Sequence, residues 1–487
     1  MTDEIETTPA RHTWRDYQWK PRRSLVLMAG QAVRGIREPT QKIAIAGSDD
    51  AVSQRHARAV IDLCLRAGEA MLATGASAAD VVATVLRMSA GYGLNGTHVD
   101  ITFTSVTISV HRGLNEDPIS VMRVVKVRTT DYARLQAVYR LIDEITAGDE
   151  LMHVDEARER LGAILTQPHP YRRWLVTAGK ATLAGGVVVM YDASFVLVIV
   201  AAVAAIAVDL LTRRMAKWGI AAFFGQIAAA MITTWAAVGM YWLRSMGIEL
   251  PGANRPTVIV ISGIIMLLSG IGLTAAARDA IDGYYVTATA RGMEVVMLTL
   301  GLAVGISVTI GVAIRLGVPM RVGTTLGPDG GLVAGVVGAA LIGVGFALTS
   351  YVHLRVVPLM AAVAGLVFAV YYVLLPLTDQ PGVVPGLAGV VAGVLGYLVY
   401  RWLKVPESAM TMAGIIGLIP GLAVYRALYS IMDSEYGISA AMPALVSAIA
   451  VGLGLAAGTT IGGFLTRQTF GLDRSAIIAS RRTRGAR

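Results

Sequence analysis

The chain has 487 residues, of which 55% are hydrophobic and 15% are charged, and its formal net charge is +9. Because an ordinary soluble domain has about 25% charged residues, this composition excludes a protein that is soluble throughout its length. Cys64 is the only cysteine, which excludes an intramolecular disulfide and a metal site built from cysteines.

Residues 1–50 are polar and basic and show no sustained hydrophobic period. Acidic residues come first and no apolar core follows, so this segment does not resemble a signal peptide. Trp14, Tyr17 and Trp19 stand among basic residues, a composition that suits an anionic membrane surface. We predict the simpler alternative, a mobile basic arm.

Residues 51–170 carry charges every few positions, as a soluble domain does. Helical spacing of apolar residues, followed by strict alternation, predicts a cytoplasmic α+β domain. Gly75 separates its first two helices, and Ser77 is predicted to cap the second. The predicted order is two helices, three strands and a further helical region, over 52–92, 99–110, 120–127 and 130–166.

Beyond this domain, charged residues are confined to short clusters between long apolar runs. Several runs reach the roughly 20 residues that cross a bilayer core, and the mean hydropathy of the whole chain is +0.60. We predict a polytopic α-helical membrane protein with about ten transmembrane helices, at 174–191, 193–211, 219–243, 257–275, 295–314, 331–350, 356–375, 383–402, 408–430 and 440–466.

The charges of the loops predict the orientation of these helices. If the first 170 residues are cytoplasmic, the inner loops and the basic tail at 467–487 carry most of the lysines and arginines, whereas the outer loops carry few. Ten spans return the chain to the side on which it started. The sequence therefore predicts a multi-pass protein of the cell (plasma) membrane with both termini in the cytoplasm.

The membrane part contains an internal repeat. A shift of 151 residues aligns 262–282 with 413–433, and Gly263, Gly270 and Asp282 with Gly414, Gly421 and Asp433. Five spans in each copy force the second copy into the opposite orientation. We therefore predict two inverted five-helix repeats, at 171–320 and 321–466, an architecture typical of secondary transporters.

The repeat-related spans both contain residues that interrupt a helix, Gly270 in the first and Pro420-Gly421 in the second. Proline removes a backbone donor and glycine relaxes the helix, so each break creates half-helix ends that suit a carboxylate or an ammonium group. Close packing of small residues is the alternative explanation. We predict that these breaks line a transport pathway.

Ionisable residues inside membrane spans are functional candidates because burying them is costly. Two of them are explained by a structural role. The long side chain of Lys180 can reach the cytoplasmic interface, and Asp209 can pair with Arg213, which lies one helical turn away. Arg426 follows the break at Pro420. Its predicted partner is a substrate carboxylate or an acid from another span.

The connection at 279–291 is unusually polar for a tight cytoplasmic loop, and Glu294 lies just beyond it, next to Arg291. Inverted topology places Asp282 and the repeat-related Asp433 on opposite sides of the membrane. Two interpretations stay open for these acids. They are either symmetry-related gate or proton-coupling groups, or ordinary solvated carboxylates at helix ends.

Motifs of catalysis are absent from the sequence. It has no Walker A sequence, no G-x-S-x-G elbow and no HExxH. His98 and Asp100 alternate onto a predicted strand near Ser105, without a nucleophile signature. We predict no enzymatic activity, no catalytic residue, no metal site, no cofactor and no binding of nucleic acid.

Three stretches resemble the threonine/serine exporter family: GEAMLATGASAADVVATVLRMSAGYGLNGTHVDITFTSVTIS (68–109), DAIDGYYVTATAR (279–291) and PGLAVYRALYSIMD (420–433). The resemblance covers essentially all of the chain after about residue 50. It implies a soluble amino-terminal domain, ten spans, and export of threonine and serine driven by the proton gradient. The family pattern falls on Asp279, Gly283, Thr287, Ala288 and Arg291 in the loop, and on Pro420, Gly421, Tyr425 and Arg426 in span nine.

The resemblance leaves the substrate open between amino acids and small dicarboxylates such as succinate. A zwitterionic amino acid needs both an acid and a base in its site, whereas a dicarboxylate favours two cationic partners. A membrane-bound ligand sensor and a membrane-tethered enzyme are the alternatives from other classes. The expected partners are threonine or serine, protons and the lipid bilayer, and assembly as a homo-oligomer stays open.

Overall fold

The protein is described by a computed structural model that covers residues 54–469 with gaps at 95, 112–116, 126–128, 148–151, 249, 252–254, 268–269, 319–330, 422, 425–426, 428–429 and 431–436. The predicted arm at 1–50 and most of the predicted tail at 467–487 lie outside the described residues. The described residues belong to one compact unit.

Residues 54–166, called the amino-terminal segment below, form helices around a small sheet. Gly75 joins the first two helices with a φ of +106°, a backbone conformation that glycine adopts without strain. The Ser77 side chain then accepts a hydrogen bond from the Asp80 N–H at 3.1 Å and caps the second helix. The elements are α1 (Gln54–Thr74), α2 (Ala78–Gly91), β1 (Thr97–Ile101), β2 (Ser105–Val110), β3 (Ile119–Val124), α3 (Tyr132–Ala147) and α4 (Val154–Thr166).

The three strands form one antiparallel sheet in the order β1-β2-β3. Its central strand alternates as the sequence predicts: Val106, Ile108 and Val110 are buried, and the residues between them are partly exposed. The buried face packs on α1, where Ile61 and Met71 are also buried. The alternation of apolar and polar residues along the strand therefore places one apolar face of the sheet against the helices, where it forms the core of the segment.

The rest of the described chain is helical. Its α-helices are α5 (Arg173–Met190), α6 (Phe195–Lys217), α7 (Ala222–Ser245), α8 (Thr257–Leu267), α9 (Gly270–Ile281), α10 (Tyr285–Arg315), α11 (Gly331–Thr349), α12 (Val357–Leu374), α13 (Val383–Leu403), α14 (Glu407–Ile415) and α15 (Gly437–Thr469). Nine of the ten apolar runs overlap one of these helices or the pair α8–α9, whereas the run 408–430 overlaps α14 only in its first part.

Within the described residues, seven helices are long and apolar enough to cross a membrane, and the bent pair α8–α9 raises the number to eight. The helix that starts at Glu407 is apolar but shorter, and α5 carries Arg173 and Lys180 within its 18 residues. The length and composition of the helices thus identify a polytopic membrane protein.

The outer surface of α6 has the character of a lipid-facing helix. Phe195, Ile199, Val203 and Leu210 follow one another at helical spacing and expose between 49% and 75% of their surface. A continuous apolar stripe of this kind is unfavourable in water and favourable in hydrocarbon. The surface therefore supports the membrane assignment independently of hydropathy.

The same pairs of helices pack together in both halves of the membrane part. In the first half α5 contacts α6, α7 contacts α8, and α7 contacts α10. In the second half the corresponding contacts are α11 with α12, α13 with α14, and α13 with α15. An extensive contact between α5 and α11 joins the two halves.

The amino-terminal segment docks on one end of this helix bundle through hydrogen bonds to backbone carbonyls. The Thr287 hydroxyl of α10 donates to the Ile101 carbonyl of β1 at 3.1 Å, and Thr287 is fully buried. The Tyr132 N–H of α3 donates to the Ser350 carbonyl, just after α11, at 3.0 Å. The segment is therefore held directly against the ends of the membrane helices.

Candidate functional site

The first interrupted helix is the pair α8–α9, whose two parts differ in direction by 44°. A break frees backbone groups that an unbroken helix would pair internally. The Gln226 side chain of α7 donates a hydrogen bond to one of them, the Leu267 carbonyl, at 2.6 Å. Our sequence reasoning missed Gln226, although a lone amide in the apolar run 219–243 was the available signal.

The second interrupted helix has its break at Pro420. After α14 the chain makes a short 3-10 turn over Ile416–Leu418, and Ile419 is extended with a ψ of 135°. The Val424 N–H then donates to the Pro420 carbonyl at 3.0 Å, which restarts helical bonding. Pro420 lies at the break because it has no N–H to continue the preceding helix.

These two interruptions meet each other. A Cβ at Gly421 would collide with the Ile265 side chain, so only glycine allows this approach. A second contact lies farther along the same helices, where the Thr274 hydroxyl is 3.8 Å from the Met412 sulfur. The structure therefore brings Pro420 and Gly421 against the helix pair that contains the predicted break at Gly270.

The polar loop residues lie at the end of the bundle that carries the amino-terminal segment. Asp279 is 1% exposed, and its Oδ2 lies 3.1 Å from Arg291 Nη1. Asp282 lies in the turn between α9 and α10, where its Oδ2 is 3.9 Å from Arg278 Nε. Asp279 and Arg291 are both candidate pathway residues from the sequence, but the sequence did not predict that they form an ion pair with each other.

A cavity of about 210 Å³ lies between this end of the bundle and the amino-terminal segment. The segment contributes hydroxyl groups to its wall, among them Ser77 and Thr130. The membrane helices contribute the loop pair Asp279–Arg291 and two further charged side chains, Arg278 and Glu294. The wall therefore holds two acids and two bases around a space that is large enough for about seven water-sized groups.

Other candidates lie elsewhere. Tyr425, Arg426 and Asp433 lie outside the described residues. Asp209 is fully buried and accepts a hydrogen bond from Thr177 at 2.6 Å, while Lys180 Nζ lies 2.7 Å from it.

The predicted partner of Asp209, Arg213, is also in place, with its Nε donating to Asp209 Oδ1 at 3.0 Å. Lys180 therefore does more than reach the interface with its stem, because it pairs with Asp209 as well. A buried carboxylate with three such partners is stabilised where it stands, so we assign this cluster a structural role.

Two family profiles match the chain. One is described as "Putative threonine/serine exporter" and covers residues 62–313, and the other is described as "Threonine/Serine exporter, ThrE" and covers residues 335–464.

Individual proteins match over most of the chain as well. The protein named "Probable threonine/serine exporter" from Mycobacterium tuberculosis is 34% identical over 447 residues, which are 89% of this chain and 82% of that protein. The "Threonine/serine exporter" of Corynebacterium glutamicum is 28% identical over 413 residues, 84% of this chain and 83% of that protein. No solved structure matches the chain at a significant level.

Proposed function

This chain belongs to the threonine/serine exporter family, and from that membership we propose that it carries threonine and serine out of the cytoplasm. The observation that best supports transport is the contact between the two interrupted helices, at Gly421 and Ile265. Many secondary transporters bind their substrate at such breaks, because half-helix ends present unpaired backbone groups. An anchor for a sensor or an enzyme needs no such arrangement.

The proposal includes ten membrane spans. Seven long helices and the bent pair α8–α9 account for eight of them. We assign the other two to α5, which packs along the lipid-facing helix α6 and along α11, and to the interrupted helix that begins at Glu407. With ten spans and the distribution of basic residues, the amino-terminal segment faces the cytoplasm and the protein resides in the plasma membrane.

Contacts between α5 and α11 support an inverted repeat. Gly179 packs against Gly345, and Gly186 packs against Gly338. Gly338 follows Gly179 by 159 residues, and Gly345 follows Gly186 by the same interval. If the two halves are exchanged, Gly179 takes the place of Gly338 and Gly186 takes the place of Gly345, so the same pair of contacts results. The two helices run antiparallel here, as a two-fold axis in the membrane plane requires.

Coupling to protons is the finer part of the proposal, and we assign it to Asp282. Burial raises the pKa of this carboxyl above its ordinary value, although the nearby Arg278 opposes the shift. The other charged groups around it are Asp80 of α2, Asp279 of α9 and Arg467 of α15. A carboxyl that takes up a proton more readily than usual, at the cytoplasmic end of a broken span, suits proton antiport.

We expect Asp282→Asn to remove most of the dependence of efflux on pH, because asparagine cannot bind the coupled proton. The measurement is initial threonine efflux from vesicles at a series of pH values. Asp155→Asn is the control, since Asp155 is an exposed carboxylate on α4. A pH profile of Asp282→Asn that coincides with the wild-type profile would refute the assignment.

Transport itself is tested by efflux from transport-deficient cells that express this chain and are loaded with threonine or with succinate. We expect threonine efflux at least tenfold above cells without the protein, and its collapse when a protonophore is added. Efflux of succinate alone would show that the exporter's substrate is a dicarboxylate and not threonine. Efflux of neither compound would contradict an exporter and favour a sensor or an enzyme.

A further inference from the structure

The cavity between the amino-terminal segment and the membrane helices has an uneven distribution of charge. Asp279 and Arg291 neutralise each other at 3.1 Å. The two other charged side chains on the wall, Arg278 and Glu294, are not paired with each other. The cavity therefore offers one base and one acid in addition to a closed ion pair.

Arg278 is well placed to bind an anion. Its side chain is 14% exposed, and its ion pair with Asp282 is at the distant limit, 3.9 Å. Asp80 and Glu407 also act on its charge, and no ion pair joins either of them to Arg278 among the described residues. Its Nε is buried and makes no hydrogen bond in the described structure. Because a buried guanidinium N–H without a partner is unfavourable, a ligand carboxylate at this position would be stabilised.

Glu294 supplies the opposite charge. It lies on α10 almost one turn beyond Arg291, and its side chain is exposed. No lysine, arginine or histidine pairs with it among the described residues. Its carboxylate is therefore available to a ligand ammonium group without breaking an existing pair.

The remaining polar groups of the wall are hydroxyls. Ser77, Thr129 and Thr130 come from the amino-terminal segment, and Ser408 comes from the start of α14. Hydroxyls both donate and accept hydrogen bonds, so they suit a ligand with a hydroxyl of its own. Apolar wall residues such as Leu72 and Met412 leave room for a short aliphatic part.

We propose that this cavity is the cytoplasmic capture site of the exporter and binds a zwitterionic α-amino acid with a small hydroxylated side chain. The carboxylate pairs with Arg278, and the ammonium group pairs with Glu294. This inference rests on the proposed function and extends it, because the amino-terminal segment then supplies one wall of the substrate site. A dicarboxylate fits less well, since Glu294 repels its second carboxylate and Asp279 already neutralises Arg291.

The test is binding of radiolabelled L-threonine and of succinate to the full chain in lipid nanodiscs. Glu294→Gln removes one charge-assisted contact, so we expect threonine to bind about 10- to 100-fold more weakly. Glu294→Lys should abolish threonine binding and create binding of succinate. Glu159→Gln is the matched control, because Glu159 is an exposed acid of α4 away from the cavity.

A second variant tests the contribution of the amino-terminal segment. Thr130→Trp places a large side chain in the cavity from that side and should abolish threonine binding, whereas Thr166→Trp, at an exposed position of α4, should not. Wild-type affinity in both Glu294→Gln and Thr130→Trp would overturn the capture site. The proposed function would survive that result if the unmodified chain still exports threonine.

Transport kinetics separate capture from regulation. If the cavity captures substrate, Glu294→Gln should reach the wild-type maximal rate at a 10- to 100-fold higher internal threonine concentration. A lower maximal rate at an unchanged half-saturating concentration would contradict capture.

Discussion

Replacing Arg291 with methionine should lower the free energy of unfolding by about 3–5 kcal/mol. Asp279 is 1% exposed, and Arg291 Nη1 lies 3.1 Å from its Oδ2. The substitution removes this counterion from the buried Asp279 carboxylate. Breaking one partner of a buried pair is costly for this reason, even where the intact pair adds little net stability.

Denaturant unfolding of the purified protein in detergent measures this loss. The exposed pair of Arg160 and Glu156, at 2.7 Å, provides the control. Both side chains of that pair are 50% exposed, so Glu156→Gln should change stability by less than about 1 kcal/mol. If Arg291→Met is as harmless as Glu156→Gln, the pair does not hold the ends of α9 and α10 together.

A double variant separates stability from transport. Asp279→Leu combined with Arg291→Met removes both charges, so no unpaired charge stays buried. Most of the lost stability should return, because apolar replacement of a whole buried pair is often neutral. If threonine efflux stays low in this stable variant, the pair serves transport as well as folding.

Gly345→Ala and Gly186→Ala should each destabilise the protein by about 1–3 kcal/mol, the cost of overpacking a tight contact. A Cβ at Gly345 would lie 2.6 Å from the Gly179 carbonyl oxygen, and one at Gly186 would lie 2.9 Å from the Gly338 carbonyl oxygen. Both obstacles are backbone atoms, so no side chain can turn aside. The α5–α11 contact must open instead.

The control substitution should raise stability instead of lowering it. Gly311 lies within α10, and a Cβ there meets no atom within 4 Å. Gly311→Ala should therefore stabilise the helix by about 0.5–1 kcal/mol, because glycine loses more backbone entropy on folding. Thermal unfolding in detergent compares the three variants. Unequal effects at Gly186 and Gly345 would argue against the symmetric interface that we propose.

Several sequence predictions depended on distant contacts and succeeded only in part. Asp279 and Arg291 were both candidates, because the loop at 279–291 is unusually polar and carries the family pattern, but their pairing requires the turn between α9 and α10. Gln226 was missed because its role depends on a carbonyl freed in a different helix. Tyr425, Arg426 and Asp433 lie outside the described residues, so their roles stay predictions.

The sequence by itself determined the membrane class, the family and the positions of most helices. Hydropathy, helical period and helix-breaking residues act over a few neighbouring positions, so they can be read without knowing the fold. Only the tertiary structure decided which groups meet. Ser77 and Arg278 line one cavity although about 200 residues separate them. Contacts of that kind depend on how helices and sheet pack together, and packing is set by complementary shapes across the whole chain.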